Sequence, residues 1–298
     1  MSQPALPETV DSSALRYPGE ASLLRKTCLA LAVTYVVFIG LTLSLFALWL
    51  LVAYLTVTVL RSRYLAEALE IGEHQLPRVG QLVRECAAYL DIPAPRVFVT
   101  VDPGNWPIYT IPVPEPTILM HAHWVRMLDD EELAFYIFHE LAHAKLGHRM
   151  FLGPVNVLEN VGPVSWILTT PLEIMRYALR PWLRLADFSA DRVAIACIGG
   201  RLEVAAAALA KVIAGEELHQ EISPEAFIAQ ARRLGESRLL SLYEIATGRL
   251  GSARRLSRLA QFADSKDFAA LTAPRPLVPS KGLLRRLLAW PVTRGQAP

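Results

Sequence analysis

The stretch Asp129-Asp-Glu-Glu-Leu-Ala-Phe-Tyr-Ile-Phe-His-Glu-Leu-Ala-His-Ala-Lys-Leu-Gly-His148 decides how the rest of the chain is read. Asp129 and Asp130 offer a helix N-cap, and Glu131 and Glu132 suit the positive end of a helix dipole. Leu133, Ile137 and Leu141 recur every four residues, as one buried helix face does. The stretch is therefore predicted to be helical. On it His139 and His143 share a face, so both can reach one ion. Imidazole nitrogens bind Zn²⁺ at about 2.0–2.1 Å, and two such ligands one turn apart fit a tetrahedral site. Glu140 lies roughly 100° round the helix, beside such an ion rather than on it. A carboxylate there can take a proton from a water whose pKa a metal has lowered to about 7. The product is a nucleophile suited to a peptide carbonyl. The plainer reading, an amphipathic helix with two surface histidines, is weakened by the apolar neighbours Phe135, Tyr136 and Phe138. His148, after Gly147, reads as a helix C-terminal residue that favours the dipole, so a third ligand must come from elsewhere.

That ligand is sought in Arg184-Leu-Ala-Asp-Phe-Ser-Ala-Asp-Arg192. Asp187 and Asp191 are spaced to project from one helix face. One of them can ligate the metal while the other accepts an N–H from a ligand histidine and sets its tautomer. Two aspartates on a solvated helix face are the alternative, weaker once the upstream histidines are considered.

With these two segments the sequence resembles the membrane zinc peptidases of the HtpX and CAAX prenyl endopeptidase type, in the gluzincin clan (metallopeptidase family 48). That family pairs H-E-x-x-H with a downstream E-x-x-x-D helix whose glutamate is the third ligand. The resemblance covers roughly Leu76 to Ala270. It implies His139, His143 and Asp187 as ligands of one Zn²⁺ per chain, Glu140 as the base and Asp191 as the neighbour behind the ligands. Two positions depart from the pattern. Asp187 stands where relatives have glutamate, so its helix must come closer by about 1.5 Å. The C-terminal T-H-P motif, whose histidine is thought to stabilise the oxyanion in relatives, is matched by Thr247-Gly-Arg-Leu-Gly-Ser-Ala-Arg254, with Gly248 at the histidine's position. Arg249 and Arg254 are the candidates to replace it.

Composition sets the wider frame. Of the 298 residues 53% are hydrophobic and only 19% are charged, which is apolar for a soluble protein. Cys28, Cys86 and Cys197 show no C-x-x-C pairing and read as buried thiols. From Thr27 to Leu60 no residue is charged, with Arg25 and Lys26 on one side and Arg61 and Arg63 on the other. Such a run reads as a transmembrane segment. As one helix it would be about 50 Å long against a hydrocarbon core of about 30 Å. The flanking charges suit a hairpin turning near Gly40, whereas the lack of a polar turn favours one tilted span.

Elsewhere Pro77 opens a helix bearing Val79, Leu82, Val83, Cys86 and Leu90, and strands are predicted at 96–101, 108–111 and 117–120 with a turn at 102–105. Flanking prolines confine 108–111 to a sheet edge, which either receives a substrate strand or is simply blunted against aggregation. The stretch 152–182 is broken by prolines and by Glu159 and Glu173. Its uncharged part from Asn160 to Leu172 is too short to span and is read as resting on the bilayer or roofing the cleft. Helices are predicted at 202–214, 224–234, 238–247 and 253–263. No basic cluster carries interleaved aromatics or a nucleic-acid motif, so no nucleic acid is expected as partner.

The expected architecture is α+β and mostly α: a helical zincin-type peptidase domain with a small β-sheet beside the H-E-x-x-H helix, plus an N-terminal transmembrane segment. Its divisions are a disordered tail (1–20), the membrane segment (21–63), the peptidase domain (64–275) and a basic tail (276–298). The expected function is membrane-bound zinc endopeptidase, its active site towards the cytoplasm and its partners a peptide or membrane-protein substrate and the lipid bilayer. The alternative is a non-catalytic binder of membrane proteins. Oligomeric state is not legible.

Overall fold

A computed structural model describes residues 15–101, 108–111, 117–148, 166–235, 237, 239–241, 244 and 250–271. In chain order its elements are α1 (Glu20–Ala66), β1 (Leu69–Glu70), α2 (Pro77–Tyr89), β2 (Arg96–Thr100), β3 (Ile108–Ile111), β4 (Thr117–His121) and α3 (Ala122–Met127). Then follow α4 (Asp130–Lys145), α5 (Trp166–Cys197), α6 (Leu202–Leu218), α7 (Pro224–Leu234), α8 (Ser252–Ala263) and α9 (Lys266–Leu271). The fold is mostly helical with one small sheet, as expected.

The sheet runs β1-β2-β4-β3, with β2 and β4 parallel and both outer strands antiparallel to their neighbours. Val97, Phe98 and Val99 of β2 and Ile118, Leu119 and Met120 of β4 are buried on both faces, which accounts for their continuous apolar runs. The three strands fall where periodicity put them, and β3 is at the edge as its prolines require. The short β1 carries no sequence pattern of its own and forms only by pairing with β2. The turn expected at 102–105 lies outside the described residues.

Helix α4 sits at the centre, packed by α2, α5, α6 and β3. Its start is a capping box. Asp129 Oδ1 accepts from the Glu131 and Glu132 amides at 3.0 and 2.9 Å, and Glu132 Oε2 accepts from the Asp129 amide at 3.0 Å. Glu132 also takes Lys211 Nζ of α6 at 2.7 Å, which compensates its burial. The helix ends at Gly147, whose φ of 75° only glycine adopts freely. The His148 amide then returns to the His143 carbonyl at 2.9 Å and the Gly147 amide to Ala144 at 3.3 Å. That turn carries the chain back and seals His148 inside.

Several expectations need revision. Residues 15–20 are not a loose tail: Leu15 and Glu20 are buried, and the Tyr17 amide donates to Ser189 Oγ at 2.9 Å. The short polar composition of 1–20 hid this packing because its partners lie on α4 and α5. The spanning segment expected over 21–63 falls on α1, a continuous helix with no hairpin at Gly40. Among the described residues no helix is long and apolar enough to cross a membrane. Glu20, Arg25 and Lys26 precede the uncharged run, and the side chains of 38–50 lie outside the described residues. The transmembrane expectation therefore has no support from the fold. Cys86 and Cys197 are buried free thiols, but Cys28 is only half-buried. Residues 1–14, 149–165 and 272–298, and most of the helix expected at 238–247, lie outside the described residues.

Because Asp129 holds both ends of the capping box, Asp129→Ala should cost about 1 kcal/mol, within the usual 0.5–2 range. Urea unfolding of the metal-free protein measures it. An unshifted midpoint would mean that the cap contributes nothing to α4.

Candidate metal centre

Two turns of α4 and the middle of α5 meet around three donors. His139 and His143 project from α4 with their Nε2 atoms 3.2 Å apart and their ring planes at 85°. Asp187 of α5 brings Oδ1 to 3.6 Å from His143 Nε2. One ligand atom from each of the three lies within 4.8 Å of the others. A tetrahedron with bonds of about 2.0–2.2 Å has edges of roughly 3.3–3.6 Å, so these donors fit a zinc ion. The histidines are 7% and 5% exposed while Asp187 is half-buried, so the cluster opens to one side only. Glu140 follows His139 on α4 and is likewise half-buried.

The far nitrogen of each histidine is engaged. His139 Nδ1 meets Asp191 Oδ1 at 2.8 Å. Asp191 is in turn gripped by Arg255 of α8, with Nε to Oδ2 at 2.8 Å and Nη2 to Oδ1 at 2.5 Å. Burial alone would raise the Asp191 carboxyl, but the charge and hydrogen bonds of Arg255, aided by His139, hold it well below the usual range. The carboxylate therefore stays ionised and accepts the Nδ1–H of His139, leaving Nε2 bare towards the cluster. Burial lowers the pKa of His139, which keeps the imidazole neutral as a ligand must be.

His143 is backed differently. Its Nδ1 lies 2.9 Å from Nδ1 of His148, and His148 Nε2 lies 2.7 Å from Glu20 Oε1. Glu20 Oε2 accepts from Ser189 Oγ, and Arg16 stands 3.5 Å away. Trp182 packs its ring edge-on to His148 at 5.6 Å.

The structure gathers His139, His143 and Asp187 into one cluster and sets Asp191 behind His139. It reassigns His148, expected as a helix C-terminal residue favouring the dipole, to a buried partner of His143. Two further residues carried no usable signal. Arg255 is one of two adjacent arginines in an amphipathic helix, and the clue was that its neighbours Leu256 and Leu259 leave it on a buried face. Glu20 precedes an apolar run and meets its partner His148 across 128 positions. Arg254, a candidate to replace the missing oxyanion histidine, is committed elsewhere. It pairs with Glu244 at 2.8 Å and donates to the carbonyls of Gly235 and Ser237 at 2.8 and 3.1 Å. Arg249 lies outside the described residues.

Comparison with known proteins adds an independent line. The sequence model of peptidase family M48 matches residues 73–241, a segment that contains His139, Glu140, His143, Asp187 and Asp191. Among curated proteins, the plastoglobule-localized metallopeptidase 48, chloroplastic, of Arabidopsis thaliana is 29% identical over 168 residues, covering 54% of this chain and 48% of its own. The chain thus spans about half the length of that relative. No solved structure matches the chain significantly. Glu20 and Arg255 lie outside the matched segment.

Removing one member of the Asp191–Arg255 pair leaves a buried, uncompensated charge, which typically costs about 3–5 kcal/mol. Asp191→Ala should show that loss in urea unfolding of the metal-free protein, and Asp191→Ala combined with Arg255→Leu should recover much of it. Losses that simply add in the double variant would mean that the two side chains act independently.

Proposed function

The chain belongs to peptidase family M48, and on that footing we propose that it is a zinc-dependent endopeptidase whose metal is held by His139, His143 and Asp187. The observation that carries the reading is the convergence of these three donors with both histidines backed at Nδ1. Surface histidines have no need of buried partners on their far nitrogens, whereas metal ligands are oriented by them.

Zinc bound here would polarise the scissile carbonyl and lower the pKa of a water to about 7. Glu140 would accept a proton from the attacking water and return it to the amide nitrogen as the C–N bond breaks. This gives a carboxylic acid and an amine, which at neutral pH become carboxylate and ammonium. An extended peptide added to the free edge of β3 would run alongside α4 and so past the cluster, since β3 packs against that helix.

Membrane association belongs to the same proposal. Leu29, Val33, Val36 and Val37 of α1 are 69, 59, 69 and 60% exposed. A stripe of apolar side chains facing out from one helix suits contact with lipid or with a membrane-protein substrate. The rival reading, a binder that holds membrane proteins without cutting them, draws on Gly248 at the place of the oxyanion histidine.

Metal analysis paired with a peptide-cleavage assay separates the two. Wild type and Glu140→Gln should each hold one zinc per chain, with cleavage in wild type alone because the amide cannot take the proton. Zinc-loaded wild type that cuts nothing would favour the binder, and wild type without zinc would end the metal reading. Asp187→Glu should weaken zinc binding, since Asp187 already reaches within 3.6 Å of His143 Nε2 and an added methylene would crowd the site. Tighter binding in that variant, by chelator competition, would show that Asp187 falls short of the metal.

A further inference from the structure

The long apolar helix α1 begins on the residue that ends a hydrogen-bond chain from His143. From the ligand outwards the chain is His143 Nδ1, His148 Nδ1 at 2.9 Å, His148 Nε2, and Glu20 Oε1 at 2.7 Å. Glu20 and His148 are each 1% exposed, so neither satisfies its polar atoms with bulk water. An ionised carboxylate can only accept hydrogen bonds, and a neutral imidazole carries one N–H and one bare nitrogen. These two rules orient the whole chain. Glu20 accepts, so His148 carries its proton on Nε2 and its Nδ1 is bare. That bare nitrogen accepts from His143, so the proton of His143 sits on Nδ1 and its Nε2 lone pair faces His139 and Asp187. With no acceptor at Glu20 the two rings lose this ordering, and tautomers with a proton on His143 Nε2, which cannot ligate, become populated.

The seat of Glu20 is itself built. Ser189 Oγ donates to its second oxygen, Tyr17 N donates to Ser189 Oγ at 2.9 Å, and Arg192 Nη1 donates to the Arg16 carbonyl at 3.0 Å. Arg16 donates to the Leu146 carbonyl at the end of α4. Behind them Leu24 and Leu31 of α1 pack on Leu179, Trp182 and Ala186 of α5. A helix serving only as an attachment would not need a buried carboxylate at its first residue.

We propose that Glu20 and His148 are positioning residues that set the tautomer of His143, so that the seating of α1 on α5 governs how tightly the centre holds its metal. The inference rests on the zinc reading above and ties the site to α1, which lies outside the family match. It makes α1 a component of the metal centre as well as a contact surface.

The test uses the full chain and reads zinc affinity by chelator competition, with the thermal midpoint of the metal-free protein as a folding control and the visible spectrum of the Co²⁺-loaded protein as a report on ligand geometry. Partners behind metal-ligating histidines typically contribute about 10–100-fold in affinity. Glu20→Ala and His148→Leu should weaken zinc by that order and alter the Co²⁺ spectrum. His148→Gln is the discriminating variant, because its amide oxygen can accept from His143 while its NH₂ donates to Glu20, in the same sense as the imidazole. It should keep affinity within a few-fold of wild type although leucine, of similar bulk, does not. If leucine and glutamine at 148 bind zinc equally well, or Glu20→Ala matches wild type, the proposal is overturned while the zinc reading stands. If wild type itself holds no zinc, both are overturned. Should Glu20→Ala fail to fold, the 148 pair decides alone.

Discussion

A buried imidazole that offers one nitrogen to an ion must have its other nitrogen satisfied from within the protein, because an unpaired buried polar group costs about 1–3 kcal/mol. This constraint applies twice on α4, and much of the packing around it follows. His139 is answered by Asp191, a carboxylate too deep to remain charged alone, and Asp191 therefore draws Arg255 in from α8. His143 is answered through His148 by Glu20, and Glu20 draws the segment before α1 against the ends of α4 and α5. The centre is thus a junction of α1, α4, α5 and α8, with every polar group passing its requirement to a neighbour. Such networks are rigid when complete and costly when broken at one member.

Legibility in the sequence follows the range of each interaction. Helix α4, its capping box and the projection of His139 and His143 were readable because residues at i, i+3 and i+4 decide them. Strands β2 and β4 were readable from short β-branched runs between turn residues. Asp187 and Asp191 needed only the assumption that one helix presents both. Glu20 and Arg255 differ in kind. Glu20 meets His148 across 128 positions, and Arg255 meets Asp191 across 64. Nothing local distinguishes a buried, paired charge from a solvated one, so neither Glu20 nor Arg255 stands out in the sequence. His148 failed for a related reason. A histidine after a helix-ending glycine is normally exposed, and here the turn at Gly147 folds it inward beneath Trp182. The membrane expectation rested on an uncharged apolar run with basic flanks, and the described turns of α1 show a helix with polar ties at its start and apolar side chains facing out.

For the zinc site proposed above, the aspartate at 187 raises the question of how a shorter side chain would reach the ion, and the packing of α5 on α4 suggests the answer. Helix pairs sit about 8–10 Å apart, and the distance is set by the side chains at the contact. On α5, Ala190 and Ala194 flank Asp191 and are fully buried, and α4 contributes Ala134 and Ala142 to the same core. Small residues on both partners let the two backbones come closer than leucine or phenylalanine would. A glutamate at 187 across so short a gap would have to fold back on itself, whereas aspartate spans it directly. The ligand and the alanines beside it then form one solution to a single distance. Enlarging Ala190 would therefore act on the metal as well as on the core, by moving α5 away from the histidines it serves.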